Sequence, residues 1–149
     1  MRAVVQRVRD CSVAVDGRVV GSIARGLLVY LGVGRGDTDG AVPPLVDKVV
    51  HLRIFPDAAG KMNLSVKDTR GAVIVVPQFT LFGDVRDGRR PSYTAAADPR
   101  IARGLWEAVM RGIAAEGLAV AGGEFGARMD VSYVNEGPVT ILVDTEKTF

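Results

Sequence analysis

The apolar positions of this chain fall into short β-branched runs early and late, with two stretches of helical period between them. Val73-Ile74-Val75-Val76 is the most uniform run. Four consecutive β-branched residues predict a strand buried on both faces, because a half-buried strand would alternate. Pro77 lacks a ladder N–H and loosens regular pairing at that point. In an extended backbone Gln78 and Thr80 then share one face, and Phe79 and Leu81 the other. This pattern fits a polar pocket wall at a strand end, and equally the solvent face of an edge strand.

Upstream, residues 2–9 alternate loosely, break at Asp10-Cys11 and resume as Ser12-Val13-Ala14-Val15. Asp16-Gly17 predicts a tight turn, with 18–23 as the returning arm of a hairpin. Residues 26–33 predict another buried strand and 34–40 a polar loop. Pro43 or Pro44 opens a helix at its first turn. Leu45, Val46, Val49, Val50 and Leu52 fall on one arc of it, with Asp47, Lys48 and His51 opposite. Residues 55–60 form a turn, and 61–65 lead into the central strand. After Phe82 a long polar loop runs to Ala97. Asp98 then caps a helix with Pro99 at its first position and Gly117 as its stop. Its apolar stripe is Ile101, Leu105, Val109 and Ile113, flanked by Trp106 and Met110. The tail predicts two short strands, 129–134 and 139–143, separated by Asn135-Glu136-Gly137-Pro138. Neither a repeat nor a linker interrupts this order, so residues 1–149 read as one α/β domain with two helices covering a sheet face.

Composition narrows the class. A chain of 149 residues, 48% hydrophobic and 24% charged, suits one soluble globular core. Its apolar runs fall far short of the ~18–20 residues of a membrane span, and residues 1–7 lack the apolar region of a signal peptide. One cysteine excludes an internal disulfide and suits a reducing compartment, so a cytoplasmic location is expected. A net charge of +2 does not by itself announce nucleic-acid binding. Arg86, Arg89 and Arg90 cluster in the polar loop, and Arg2, Arg7 and Arg9 at the start. Such clusters are either solvated surface or phosphate contacts.

Familiar chemistries find no support. Gly32-Val33-Gly34-Arg35-Gly36 follows a strand but lacks the dinucleotide spacing and the Walker lysine. His51, the sole histidine, lies one helical turn after Asp47 and reads as a surface ion-pair partner. No zinc set or catalytic triad can be assembled around it. Cys11 reads as a small buried hydrophobe. An enzyme built from this sequence would use neither a metal nor a cofactor. It would work by main-chain N–H groups, by substrate positioning and by a group on the substrate itself.

Several stretches together resemble the bacterial D-aminoacyl-tRNA deacylase family nearly end to end. They are Met1-Arg2-Ala3-Val4-Val5-Gln6-Arg7-Val8, Gly26-Leu27-Leu28-Val29, Asn63-Leu64-Ser65, Gln78-Phe79-Thr80-Leu81, Gly88-Arg89-Arg90-Pro91-Ser92, Phe125-Gly126-Ala127 and Asn135-Glu136-Gly137-Pro138-Val139-Thr140. The resemblance implies hydrolysis of the ester joining a D-amino acid to the 3′ adenosine of tRNA, glycine mischarged on an alanine tRNA included. It implies a three-layer arrangement of two packed β-sheets with helices on one face. It also implies a homodimer with each pocket at the subunit interface. One departure is Pro77, where the family usually has serine. An animal paralogue that edits an L-amino acid shares that proline but lacks Phe79.

Site roles follow from the same resemblance. Gly137 and Pro138, joined by a cis bond, project their carbonyls into the partner's pocket and select chirality. The N–H groups of Phe79 and Thr80 form an oxyanion hole, and Gln78 holds the terminal adenosine. Phe125 and Met129 line the pocket, with core packing as the bland alternative, and Arg7 buttresses the Gly-Pro turn. Arg86, Arg89 and Arg90 contact tRNA phosphates. A rival reading is a dimeric RNA-binding module without catalysis.

Overall fold

A computed structural model describes residues 1–148. The chain folds into a five-stranded mixed sheet in the order β6 (Ala119–Gly122), β5 (Ala72–Pro77), β2 (Arg18–Gly32), β1 (Arg2–Val15), β7 (Asp130–Asp144), with two α-helices and a two-stranded ribbon of β3 (Phe55–Pro56) and β4 (Met62–Leu64). Strand β1 (Arg2–Val15) and strand β2 (Arg18–Gly32) form a long antiparallel hairpin closed at Asp16-Gly17. Both turn residues have positive φ, 49° and 76°, the geometry whose twist matches the flanking strands.

The break expected at Asp10-Cys11 does not end the strand. Asp10 takes a left-handed φ of 52° inside β1, so the side-chain alternation slips while the ladder continues. Met1, Ala3 and Val5 face the helices, whereas Val8, Cys11 and Val13 all join a second core on the sheet's other face. Likewise, the two runs expected at 18–23 and 26–33 are one strand. The ladder is therefore a single bent sheet with a small ribbon, β3 (Phe55–Pro56) and β4 (Met62–Leu64), rather than two large packed sheets. Continuous pairing through β1 and β2 carries both halves.

Strand β5 (Ala72–Pro77) is parallel to β2 and to β6 (Ala119–Gly122). Val73 and Val75 pack toward the helices, Ile74 and Val76 into the opposite core, as a doubly buried strand requires. Burying each such side chain stabilises the fold by about 1.5–3 kcal/mol. Helix α1 (Val42–His51) buries Leu45, Val46, Val49 and Val50. Helix α2 (Pro99–Ala115) starts at Asp98, whose carboxylate accepts the Arg100 N–H, a cap worth about 1 kcal/mol. Leu105, Trp106, Val109 and Ile113 face inward beside α1. Ile101, expected on the same stripe, is 55% exposed, in a first turn whose Pro99 and Ala102 line a cavity.

The tail is one strand, β7 (Asp130–Asp144), at the sheet edge, and not two. Its pairing with β1 opens between Gln6↔Thr140 and Val8↔Asn135, so Glu136 to Val139 bulge out of an otherwise continuous ladder.

Candidate active site

Pro77 is the last residue of β5 in register, opposite Leu31, and the Gln78 N–H donates to Leu31 O at 2.8 Å. The chain then tightens into a 3-10 turn, Phe79–Phe82, rather than continuing as an extended strand. Gly32 and Gly34 on the neighbouring segment permit this. A β-carbon at Gly34 would sit 2.8 Å from the Phe82 ring, and one at Gly32 3.1 Å from the Leu81 β-carbon. The N–H groups of Phe79 and Thr80 stand at the first two positions of the turn. There they have no acceptor among the described residues. The Thr80 hydroxyl accepts a hydrogen bond from the Gln78 side-chain amide.

A cavity of about 600 Å³ opens beside this turn. Its walls include Leu31, Val76, Trp106, Phe125 and Met129, with Gln78 at its edge. Phe79, 58% exposed, meets Tyr93 edge-to-face at 5.1 Å as part of the same lining. The Trp106 indole N–H donates to Val75 O at 3.2 Å, which fastens α2 to the end of β5. Trp106 also lies 5.9 Å from the Phe125 ring, over which the Arg103 guanidinium stands at 5.5 Å. Phe125 and Met129 are half-buried walls of this space and also pack against the two cores, Phe125 on the helix side and Met129 on the other. Thr80 itself contributes no wall.

The rest of the lining was not legible as site residues. Trp106 reads as a helix flank, and Ala96 and Ala97 as loop; only Tyr93, an aromatic in a polar loop, carries a signal. That loop is anchored by the stretch that superficially suggests a nucleotide site. Arg35 N–H donates to Ala95 O at 2.9 Å and Ala97 N–H to Val33 O at 3.0 Å. Asp37 accepts the Gly34 N–H at 2.6 Å and the Met1 ammonium at 2.5 Å.

Gly137 and Pro138 are exposed on β7 and line no part of the cavity of their own chain. Their peptide bond is cis. Gly137 has φ +131°, and a β-carbon there would sit 2.8 Å from Val139 Cγ2 and 3.0 Å from Arg7 Nη2, so only glycine fits. Arg7 lies under this corner. Its Nε donates to Glu136 O at 3.1 Å and its Nη1 to Ile54 O at 2.6 Å, with the Glu136 carboxylate at 3.6 Å.

The arginine loop is pinched at its base, where Asp84 and Ser92 exchange two main-chain bonds of 2.8 Å. Arg86 folds back on Asp84, its Nε reaching both carboxylate oxygens at 2.9 and 3.0 Å. Hydrogen bonds from that side chain and from the Arg86 N–H hold the Asp84 carboxyl down at about 2. Arg89 and Arg90 are exposed and make no ion pair among the described residues. The structure thus separates Arg86 from the other two.

His51 pairs with Asp47 at 3.0 Å on the exposed side of α1, away from the cavity. Cys11 is buried, and burial pushes its thiol up to about 11. Among the described residues no three metal-binding side chains cluster, and no helix is long and apolar enough to cross a membrane.

Fold and cavity define a single-domain α/β protein whose apolar chamber opens beside unbonded main-chain N–H groups. The family model for D-Tyr-tRNA(Tyr) deacylase matches residues 4–144. The D-aminoacyl-tRNA deacylase of Thermotoga petrophila is 54% identical over 149 residues, and that of Thermosipho africanus 52%, each over the whole of both chains. The chain belongs to the D-aminoacyl-tRNA deacylase family and, as a deacylase, is a hydrolase. A solved structure described as c-Myc DNA Unwinding Element Binding Protein superposes with a TM-score of 0.90 at 36% identity, covering 97% of this chain and 98% of that one. A second, described as a probable eukaryotic D-amino acid tRNA deacylase, reaches 0.84 at 20% identity over 95% and 97%, a likeness of fold.

Proposed function

We propose that this enzyme hydrolyses the ester between a D-amino acid, or glycine, and the 3′ adenosine of tRNA, and spares L-amino acids. The observation that carries the reading is the pair of unbonded N–H groups at Phe79 and Thr80, on a turn held at the mouth of an apolar cavity. Such donors stabilise the oxyanion that forms when the ester carbonyl is attacked. No nucleophile–base pair accompanies them: the one histidine is on α1, and Thr80 Oγ1 is already bonded to Gln78. The 2′-OH of the terminal adenosine assists the attack instead. Gln78 turns from Thr80 to hold the adenosine, and the side chain of the amino acid lies toward Phe125 and Met129.

Chirality is read by the main chain at Gly137 and Pro138 of a second copy of the chain. Their carbonyls accept from the α-ammonium and occupy the space an L side chain would need; a D side chain points elsewhere and glycine has none. What supports a homodimer is the exposure of this corner outside its own chain's cavity. Val134 (41% exposed) and Leu142 (60%) lie uncovered on the same edge strand. Exposed Arg89 and Arg90 suit tRNA phosphates, and the setting is cytoplasmic.

The test compares D-Tyr-, L-Tyr- and Gly-charged tRNA at equal enzyme concentration, with the mass in solution measured alongside. Release of D-tyrosine and glycine but not L-tyrosine, by a dimer, is expected. Equal cleavage of the two tyrosyl esters would remove the filter. Salt-dependent tRNA binding without any cleavage would make the chain an RNA-binding module.

A further inference from the structure

We propose that Asn135, Thr140 and Gln6 form a side-chain brace that sets the position of Gly137 and Pro138. Asn135 and Thr140 are then specificity-determining positioning residues. The proposal rests on the reading of that corner as the chiral filter.

Between the pairs Gln6↔Thr140 and Val8↔Asn135, β1 advances two residues while β7 advances five. Residues 136–139 thereby leave the ladder, and their main-chain groups need other partners. Asn135 supplies one of them, and ties down the next side chain, from a single amide. Its Oδ1 accepts the Val139 N–H at 3.2 Å, and its Nδ2 donates to Thr140 Oγ1 at 3.1 Å. The residue that begins the excursion is thus tied to both residues that end it. Gln6 Nε2 donates to the same Thr140 oxygen at 3.0 Å and anchors it to β1. Two amide donors, one from each strand, occupy both lone pairs of that hydroxyl.

A planar amide bonded at both ends leaves the loop between them little room to slide. Arg7 holds Glu136, by its carbonyl and its carboxylate, on the near side of the corner, whereas the brace closes the far side, after Pro138. Steric exclusion is steep in distance, so a corner displaced by a fraction of an ångström admits the wrong hand while still accepting the right one. The two bonds to Thr140 lie at the surface, where their loss costs little stability, and the third, from Val139 N–H, is only partly buried. Their consequence is geometric.

The experiment measures single-turnover cleavage of D-Tyr-tRNA and L-Tyr-tRNA by the full-length enzyme and its variants Asn135→Ala, Thr140→Val and Thr140→Ser, each with a melting curve. Asn135→Ala and Thr140→Val should narrow the D-over-L rate ratio by about tenfold or more, with melting within a few degrees of the unaltered protein. Thr140→Ser, which keeps the oxygen, should restore the ratio. An unchanged ratio in folded Asn135→Ala and Thr140→Val overturns the proposal, as does Thr140→Ser behaving like Thr140→Val. Unfolding of both Asn135→Ala and Thr140→Val makes the role structural and overturns it too. Failure of the filter is read separately, on the unaltered enzyme, as equal cleavage of the two esters.

Discussion

The Gln78 side-chain amide donates to the Thr80 hydroxyl, across one turn of the 3-10 segment that closes β5. That bond uses a lone pair of the only hydroxyl on the turn, and no general base is at hand to take its proton. Thr80→Ala should therefore keep single-turnover cleavage within about tenfold, a barrier change of at most ~1.4 kcal/mol. A far larger fall, or an acyl group trapped on Thr80, would make it the nucleophile.

The arginine loop divides into two parts. Arg86 is spent on Asp84, whereas Arg89 and Arg90 are free to meet phosphate. Replacing Arg89 and Arg90 together with Ala should weaken binding to every tRNA alike and flatten its dependence on salt. Arg86→Ala should change that slope less and instead return the Asp84 carboxyl from about 2 toward 3.8. Fluorescence titrations at several salt concentrations read the first effect, and carboxyl NMR titration the second. Equal slopes in all three proteins would leave the loop a solvated surface.

Cys11 provides an alkaline signature. Its folded thiol is held up at about 11 by burial, against 9.0 in the open chain. A raised value means that the folded state favours the protonated form. The contribution is whole below pH 9 and is lost as pH rises from 9 through 11. Relative to Cys11→Val, the unaltered protein should lose stability across that window and not between pH 6 and 8. At pH 8 a thiol reagent should label it only on unfolding. Denaturant midpoints over the pH series check the first statement and mass spectrometry the second.

Trp106 joins α2 to the end of β5 and forms one wall of the cavity. Trp106→Phe removes the indole donor and some apolar contact, while Val75 O retains the Gly123 N–H at 3.2 Å. The loss should be about 1–2 kcal/mol in urea unfolding, with KM for D-Tyr-tRNA raised more than kcat is lowered. An unchanged midpoint would show that the bond adds nothing to the packing.

The elements whose evidence lies within a few neighbouring residues were legible in the chain itself. Four β-branched residues in a row specify a strand buried on both faces. Asp16-Gly17 specifies a tight turn, and Asp98-Pro99 a helix start, because each depends on local backbone sterics and on caps. Burial of Leu45, Val46, Val49 and Val50 follows from helical period alone, as does the pairing of His51 with Asp47. Resemblance of the motifs at 78–81 and 135–140 was enough to expect the family. Packing decided the rest. Whether residues 79–82 extend a strand or close a turn depends on how near Gly32 and Gly34 let Leu81 and Phe82 approach, contacts between residues nearly 50 positions apart. Whether 136–139 interrupt β7 or merely bulge from it depends on the register of β1 beyond them. Ile101 keeps a helical period yet stays exposed, because period alone does not say where a neighbouring surface will lie. Trp106, Phe125 and Met129 become one wall only when α2 and the segment after β6 meet over β5, since a cavity is a property of surfaces that are distant in the chain.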